Sequence, residues 1–258
     1  MVKIMLVEWE VTLKCNFDCK YCGLRQKIEE EIDELKLDRF IQKLKTYNTE
    51  IFCFGGEPFL HPKIHFITQK LFEYDVKHVF QTNFSPYSVK CFGSLKYKPI
   101  LQISIHEPYY ESLKDHYIAS IKTYKNYIRQ ISIMFLTPKA LKIYDELKTI
   151  IDESKLVISA IGDFKVTGFI DSLHMFNQLS RTLNKRYNFE TPIKQYGKYR
   201  LSRPLLWELI MTGKIEPTRG KPCLYKGRYI LFDPQLNSYN CSYRCNSDIC
   251  PHKCCFFM

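Results

Sequence analysis

The sequence has no long hydrophobic run. Its first fourteen residues contain one short apolar stretch, residues 4–7, which Glu8 interrupts, and this is too short for the core of a signal peptide. No other run approaches the ~20 apolar residues that a membrane-spanning helix needs, so we expect no membrane contact. Internal repeats and low-complexity tracts are absent as well. Together these absences predict a folded, cytoplasmic protein.

Acidic residues are in the minority. Asp and Glu number 27 against 38 Lys and Arg, which gives a formal net charge of +11. The excess is concentrated in residues 181–228, where twelve basic residues accompany three acidic ones. Such a segment attracts nucleic acid, acidic peptides or phosphorylated small molecules. The alternative interpretation is a solvated face without a partner.

Cysteine is the residue that the chain has in excess, with eleven among 258 residues. A reducing compartment disfavours a disulfide framework, so clustered cysteines there indicate metal or redox chemistry. Cys53 and Cys91 stand alone and are interpreted as small core residues. The other cysteines form two groups, at positions 15, 19 and 22 and at positions 223, 241, 245, 250, 254 and 255.

Strand-like and helical patterns alternate over the first 165 residues. The strand-like runs, rich in Ile, Val and Phe, lie near 3–12, 50–54, 77–82, 99–105, 130–136 and 155–161. The helical patterns between them cover 33–47, 64–74, 86–93, 110–127 and 139–151. This alternation predicts an α/β fold with a parallel sheet and right-handed crossovers. Six repeats are too few for a closed eight-stranded barrel and suit an open, partial (β/α)6 barrel, with its chemistry at the carboxyl ends of the strands.

The alternation stops near residue 166. Helices are expected over 171–187 and 204–211, and Gly, Pro, Asn and Cys dominate from residue 213 onward. Because such a segment is too irregular for a packed core, ligands are expected to hold it together. The predicted domains are therefore a core barrel at 1–165, a basic helical connector at 166–212 and a small cysteine-rich module at 213–258.

The first cysteine group directly follows the first predicted strand. Cys15, Cys19 and Cys22 can surround one metal centre, but three thiolates neither close a tetrahedral zinc site nor ligate all four irons of a cubane. The iron without a protein ligand would offer an open position to a substrate or cofactor. On spacing alone, a zinc site or an ordinary iron–sulfur site with a remote fourth ligand remains an alternative.

Three motifs resemble those of the radical S-adenosylmethionine (SAM) superfamily. The cysteine triplet has the spacing C-x3-C-x-aromatic-C, and Tyr21 occupies the position at which that family has an aromatic residue beside adenine. Residues 55–58, Gly-Gly-Glu-Pro, are similar to the family's G-G-E-P motif. Residues 81–83, Gln-Thr-Asn, resemble its T-N-G motif, although Phe84 replaces the glycine. The resemblance covers roughly residues 4–161.

The resemblance implies a radical SAM enzyme with oxidoreductase-type chemistry. A 4Fe–4S cluster on Cys15, Cys19 and Cys22 would bind SAM, cleave it reductively and so generate the radical that abstracts a substrate hydrogen. A reductant such as flavodoxin or ferredoxin would supply the electron. For His106 and Leu136, an ordinary structural role is the alternative. The residues expected to bind the cofactor are Tyr21, Gly55, Gly56, Glu57, Pro58, Asn83, Ser104, His106 and Leu136.

The second cysteine group resembles the C-terminal SPASM and twitch modules, which hold auxiliary clusters. Residues 228–240 are predicted to form a strand, a turn and a strand, as such modules have between their first two cysteines. The glycine usually found before the second cysteine is replaced by Leu236-Asn237, and the later spacings also differ. The alternatives to an auxiliary 4Fe–4S cluster are a zinc site that includes His252 and redox-labile thiols. The candidate metal ligands are Cys223, Cys241, Cys245, Cys250 and Cys254.

These patterns favour peptide modification or oxidation of a small molecule as the function. The basic segment 181–228 supports one alternative, a radical SAM enzyme that modifies nucleosides or tRNA. An alternative from a different class is a non-catalytic zinc-binding module that binds RNA or a protein partner.

Overall fold

The computed structural model describes residues 6–22, 32–160, 170–183, 185–189, 193–196, 199–202 and 229–239. All six strands predicted for the core form: β1 Leu6–Thr12, β2 Ile51–Gly55, β3 His78–Thr82, β4 Ile100–His106, β5 Ile128–Phe135 and β6 Leu156–Ala160. The helices are α1 Glu34–Leu44, α2 Ile64–Glu73, α3 Pro86–Ser94, α4 Glu107–Tyr124, α5 Lys139–Leu147 and α6 Ile170–Leu183. Four short strands follow: β7 Ile193–Tyr196, β8 Tyr199–Ser202, β9 Tyr229–Phe232 and β10 Ser238–Tyr239.

The sheet has the strand order β10-β9-β1-β2-β3-β4-β5-β6, and β1 to β6 pair in parallel with their neighbours. Parallel neighbours need long crossovers, which α1 to α5 provide. The prediction of a mostly parallel α/β sheet, consistent with a partial barrel, is therefore confirmed. Because these strands run in one direction, the carboxyl ends of β1 to β6 all lie at one edge of the sheet.

The two faces of this sheet differ in chemistry. One face packs against the helices through a continuous apolar core, in which Trp9 of β1 meets Phe40 of α1 with ring centroids 5.0 Å apart. Successive side chains of a strand point to opposite faces, so the residues between the core positions face away from the helices. We call this second side the inner face. It carries Glu8 and Glu10 of β1 and many uncharged polar side chains.

The predicted strand–turn–strand unit at 228–240 forms as β9 and β10, which pair antiparallel. Asp233 closes the turn, because its carboxylate accepts from Asn237 N at 2.9 Å and from the Tyr239 hydroxyl at 3.1 Å. β9 pairs in parallel with β1, and Phe232 packs on Phe40 with ring centroids 4.9 Å apart. The hairpin, placed by the sequence analysis in the C-terminal module, therefore extends the core sheet beyond β1.

Several predicted features lie outside the described residues. These are the helix at 204–211, most of the basic segment 181–228 and all six cysteines from Cys223 onward. The division into three domains and the auxiliary site consequently remain predictions. In the part of the chain that the structure describes, no helix is both long and apolar enough to cross a membrane.

Candidate functional site

The cysteine loop, residues 13–22, begins where β1 ends at the carboxyl edge of the sheet. Cys15, Cys19 and Cys22 are each half-buried and unoxidised. Two local hydrogen bonds shape the loop: Cys22 N donates to Cys19 O at 2.9 Å, and Phe17 N donates to Cys15 Sγ at 3.4 Å. The loop therefore presents three partly accessible thiols above the ends of the strands.

The three thiols fit a cluster better than a single ion. Among the described residues, no three His, Cys, Asp or Glu side chains are gathered closely enough to hold one metal ion. The thiolates that bind a cubane can lie further apart than the ligands of a single ion, because each thiolate binds a different iron. Burial raises the pKa of Cys15, and it raises that of Cys19 to about 11. These thiols therefore keep their protons until a metal displaces them.

The first turn of α4 holds the cysteine loop from the side. The ring of Phe17 stacks on that of Tyr109, with centroids 4.0 Å apart and planes 7° apart. In addition, Asp18 N donates to the Tyr109 hydroxyl at 2.7 Å. Both contacts fall between the first two cysteines of the triplet. The sequence analysis missed Tyr109, because nothing local to residue 109 signals a partner 91 positions away.

His106, the last residue of β4, contacts the cysteine loop. Its Nδ1 lies 2.6 Å from the Tyr21 hydroxyl and 3.6 Å from Cys19 Sγ. Burial lowers the pKa of His106 to about 4 and raises the pKa of Tyr21, so the ring is neutral and the phenol keeps its proton at pH 7. The contact between the phenol and Nδ1 is therefore a hydrogen bond between two neutral groups. The structure thus brings together Cys19, Tyr21 and His106, three of the predicted site residues.

The two glycines of residues 55–58 let the end of β2 approach the cysteine loop. Gly56 N donates to Thr12 O and Glu57 N donates to Lys14 O, each at 2.7 Å. A Cβ atom on Gly55 would lie 2.1 Å from Thr12 O, and one on Gly56 would lie 2.2 Å from Lys14 O. The sequence analysis expected both glycines to bind the cofactor, which stays a prediction. In the structure their missing side chains leave room for the backbone of residues 12–14.

Glu57 is fully buried below the cysteine loop. Its carboxylate accepts from Asn83 N at 2.7 Å, from the Thr82 hydroxyl at 2.9 Å and from Phe59 N at 3.2 Å. Glu57 therefore fixes the turn that follows β3. The sequence analysis expected Glu57 to bind the cofactor, which stays a prediction. Pro58, also buried, begins the short 3-10 turn Pro58–Leu60.

Asn83 connects the turn after β3 to the cysteine loop. Its Nδ2 donates to Asn16 Oδ1 at 2.8 Å and lies 3.9 Å from Cys15 Sγ. Its Oδ1 accepts from Ser85 N at 3.0 Å and from the Ser88 hydroxyl at 3.2 Å. Asn16 in turn donates to Ser85 Oγ at 2.7 Å. The predicted site residue Asn83 is present, and the three partners that position it were missed.

Ser104 and Leu136 lie near the site without a described contact to the cysteines. Ser104 is buried on the inner face, where its hydroxyl accepts from Gln81 Nε2 at 2.8 Å. Leu136 follows β5, and Glu107 holds its backbone, since Leu136 N donates to that carboxylate at 3.3 Å. The cofactor roles of both residues stay predictions.

Phe84, which replaces the glycine of the T-N-G motif, adopts the backbone conformation that glycine prefers. Its φ is 53°, and its side chain is fully buried. The left-handed conformation costs a non-glycine residue about 1–2 kcal/mol, whereas removing a buried Phe side chain costs about 3–5 kcal/mol. We therefore expect Phe84→Gly to lower the free energy of unfolding by about 2–3 kcal/mol, as measured by urea denaturation. Asn48→Gly is the matched control, because Asn48 has φ 49° but is exposed; it should be neutral, and an equal loss there would contradict the argument.

The Glu57 carboxyl should make stability depend on pH. Burial raises its pKa from 4.5 to about 7, because the hydrogen bonds to the charged form offset only part of the desolvation. The folded state therefore binds the proton more tightly than the unfolded state. Stability is fully present below about pH 4.5 and falls as pH rises towards 7, by roughly 3 kcal/mol. Urea unfolding from pH 5 to 8 should show this fall relative to Glu57→Gln; parallel curves for the two proteins would exclude it.

The comparisons with known proteins agree with this geometry. The sequence profile of the Radical SAM superfamily matches residues 9–132. Streptococcus suis SuiB bound to S-adenosylmethionine has a similar structure, with a TM-score of 0.61 and 13% identity over 93% of this chain and 61% of SuiB. SuiB bound to the precursor peptide SuiA gives a TM-score of 0.60 at 13% identity, over 93% of this chain and 60% of that one. A search of curated proteins gives no match.

A second similar structure is that of native anSMEcpe with bound AdoMet and Kp18Cys peptide. Its TM-score is 0.52 at 16% identity, with 93% of this chain and 74% of that chain covered. At such identities, the similarities establish a shared fold and nothing further. This chain spans about 61% of the length of SuiB.

Proposed function

The chain carries a radical SAM domain over residues 9–132, and from this premise we propose that it binds a 4Fe–4S cluster and SAM and removes a hydrogen atom from a peptide. The observation that carries the proposal is the cysteine loop at the carboxyl edge of the sheet, contacted by His106, Asn83 and Tyr109. In parallel α/β folds, this edge is where active sites collect.

The residues of this chain have distinct roles in the proposal. Cys15, Cys19 and Cys22 hold the cluster through one thiolate each. When bound, the cluster and SAM would supply the radical chemistry that removes a hydrogen atom from the substrate. The neutral imidazole of His106 hydrogen-bonds to a polar group of the cofactor or substrate. The Asn83 amide donates towards Cys15 Sγ, and outer contacts of this kind tune the properties of iron–sulfur clusters.

A peptide is our preferred substrate. SuiB bound to the precursor peptide SuiA and anSMEcpe bound to Kp18Cys peptide are both peptide complexes. Both share the fold of this chain with TM-scores above 0.5. Oxidation of a small molecule, the other interpretation of the sequence, is tested by the same assay with metabolites in place of peptides.

We also propose an auxiliary 4Fe–4S cluster on the second cysteine group. In its support, the hairpin β9–β10 forms between Cys223 and Cys241, as the resemblance to the SPASM and twitch modules requires. A protein with both clusters carries about eight irons per chain, and one with the first cluster alone carries about four. Metal analysis of the reconstituted protein therefore separates these two compositions from zinc.

The proposed function is tested by anaerobic reconstitution with iron and sulfide, followed by reduction with dithionite in the presence of SAM. We expect a brown protein that forms 5′-deoxyadenosine and methionine in equal amounts. A screen of deuterated peptides should then transfer deuterium into 5′-deoxyadenosine. A colourless protein that binds only zinc and leaves SAM intact would contradict the proposal.

A further inference from the structure

Three glutamines lie side by side on the inner face of the sheet. Gln81 of β3 is in register with Gln102 of β4, and Gln102 is in register with Gln130 of β5. Neighbouring strands are about 4.8 Å apart, so three side-chain amides are spaced regularly across the sheet. All three residues are half-buried. We call them the glutamine row.

Many of the amide donors and acceptors of the glutamine row have no hydrogen-bond partner among the described residues. Gln81 Nε2 donates to Ser104 Oγ at 2.8 Å, and Gln130 Nε2 donates to Ser132 Oγ at 2.9 Å. Both serines lie two residues further along the neighbouring or the same strand and are themselves in register. Among the described residues, none hydrogen-bonds to the Gln102 side chain. A carboxamide can donate two hydrogen bonds and accept two, so the central member of the row presents all four.

The position of the glutamine row relates it to the cysteine loop. Along β4, Gln102 and Ser104 precede His106 by four and two residues, which corresponds to about 13 and 7 Å at the rise of a strand. Alternation puts all three side chains on the inner face. His106 contacts Cys19, so the row lies on the same face, below the loop that would hold the cluster. A molecule lying against the inner face beneath the loop would meet the row.

The chemistry of the row is unusual for its place in the fold. Central strands of a parallel sheet are normally apolar on both faces, and a buried polar group costs free energy unless it is hydrogen-bonded. Three amides at equivalent positions of three adjacent strands are therefore available to a partner on the inner face. His106 of β4 and the acidic Glu8 and Glu10 of β1 lie on the same face.

We infer that the glutamine row is the specificity surface of the substrate site and that it recognises an uncharged amide group. An amide both donates and accepts, and so matches the free capacity of Gln102 on both sides. A carboxylate or phosphate would use only the donors and would leave the acceptor oxygen of Gln102 unpaired. An aliphatic group would leave the Gln102 amide buried without a partner. This inference rests on the proposed function, since it takes the inner face to be where the substrate binds.

Equilibrium dialysis tests the inference with four labelled probes and the reconstituted full chain in the presence of SAM. The probes are the N-acetyl, N-methylamide derivatives of asparagine, alanine, aspartate and leucine. The asparagine probe should bind at least about tenfold more tightly than the aspartate and leucine probes, because a lost or unpaired hydrogen bond costs about that much. If the alanine probe binds as tightly as the asparagine probe, the side-chain amide is not recognised and the inference is overturned.

The variants Gln102→Leu and Gln130→Leu should each reduce the affinity of the asparagine probe about tenfold and bring it level with the leucine probe. Gln69→Leu is the matched control, because Gln69 is exposed on α2, and it should change nothing. Equal affinity for all four probes, binding weaker than about 10 mM for every probe, or unchanged binding by both variants would overturn the inference. SAM cleavage is measured on the same samples. Cleavage without discrimination rejects only the inference, and discrimination without cleavage rejects only the proposed function.

Discussion

Replacing Cys15, Cys19 or Cys22 by alanine should abolish the formation of 5′-deoxyadenosine. Each variant removes the thiolate of one iron, and a cubane with two protein ligands is no longer held in place. Loss of an outer partner of a metal site already costs about 10–100-fold, so loss of a ligand should cost more than about 100-fold. The measurement is the initial rate of 5′-deoxyadenosine formation after anaerobic reconstitution, together with the iron content per chain.

Cys91→Ala is the matched control for these variants. Cys91 is half-buried like the three cysteines of the loop and is likewise unoxidised, but it lies in α3, where it packs against the apolar core. The same substitution there removes a thiol of similar exposure without touching the cysteine loop, and the rate should stay within about twofold of the parent. Full turnover by any one of the three loop variants would refute the assignment of the cluster.

The strands and helices of the core could be predicted because their signals are local. Runs of Ile, Val and Phe at regular intervals marked β1 to β6, and the observed bounds differ from the predicted ones by a few residues at most. The turn residues between Cys223 and Cys241 likewise marked the hairpin. Its pairing with β1 was not predictable, because an edge strand takes its partner from tertiary packing that leaves no local pattern in β9.

The candidate site likewise contains residues that local motifs predict and partners that no local signal predicts. The three cysteines, residues 55–58 and Asn83 form short motifs, and the sequence alone singled them out. The partners that position them lie far away in sequence: Tyr109 contacts Asp18 across 91 positions, and Asn83 contacts Asn16 across 67. Single polar residues of this kind carry no periodic or spacing signal.

The glutamine row depends on register. A single glutamine on each of three strands gives no signal in the sequence. Only the pairing of β3, β4 and β5 places Gln81, Gln102 and Gln130 side by side. A shift of one residue in any strand would turn its glutamine towards the helices. At least one neighbour of each glutamine is an apolar core residue that must stay on the helix side and so prevents that shift: Phe80, Leu101, Ile103 and Ile131. The row is thus a consequence of the same pattern that defines the strands.

Gly55→Ala should be the most destabilising single substitution at the junction between β2 and the cysteine loop. The new Cβ would lie 2.1 Å from Thr12 O, whereas real Cβ atoms essentially never come within 3.0 Å of another atom, and the φ of +137° is itself strained for alanine. Strained backbone costs about 1–3 kcal/mol and overpacking costs a similar amount. We therefore expect the free energy of unfolding to fall by about 4 kcal/mol, as measured by urea denaturation at constant pH.

Gly55→Ala should also impair the binding of iron by the cysteine loop. Relief of the clash requires β1 and β2 to separate at their carboxyl ends, which breaks the bond from Gly56 N to Thr12 O and displaces the start of the cysteine loop. Iron loading should therefore fall along with stability.

Gly93→Ala provides the control, since its Cβ would meet only the end of the Tyr124 side chain, at 2.9 Å, which can move aside. Within helix α3 alanine is favoured over glycine by about 1 kcal/mol, so this variant should be at least as stable as the parent and bind iron normally. Equal losses in the two variants would mean that the backbone contact between residues 55–56 and 12–14 is not what positions the loop.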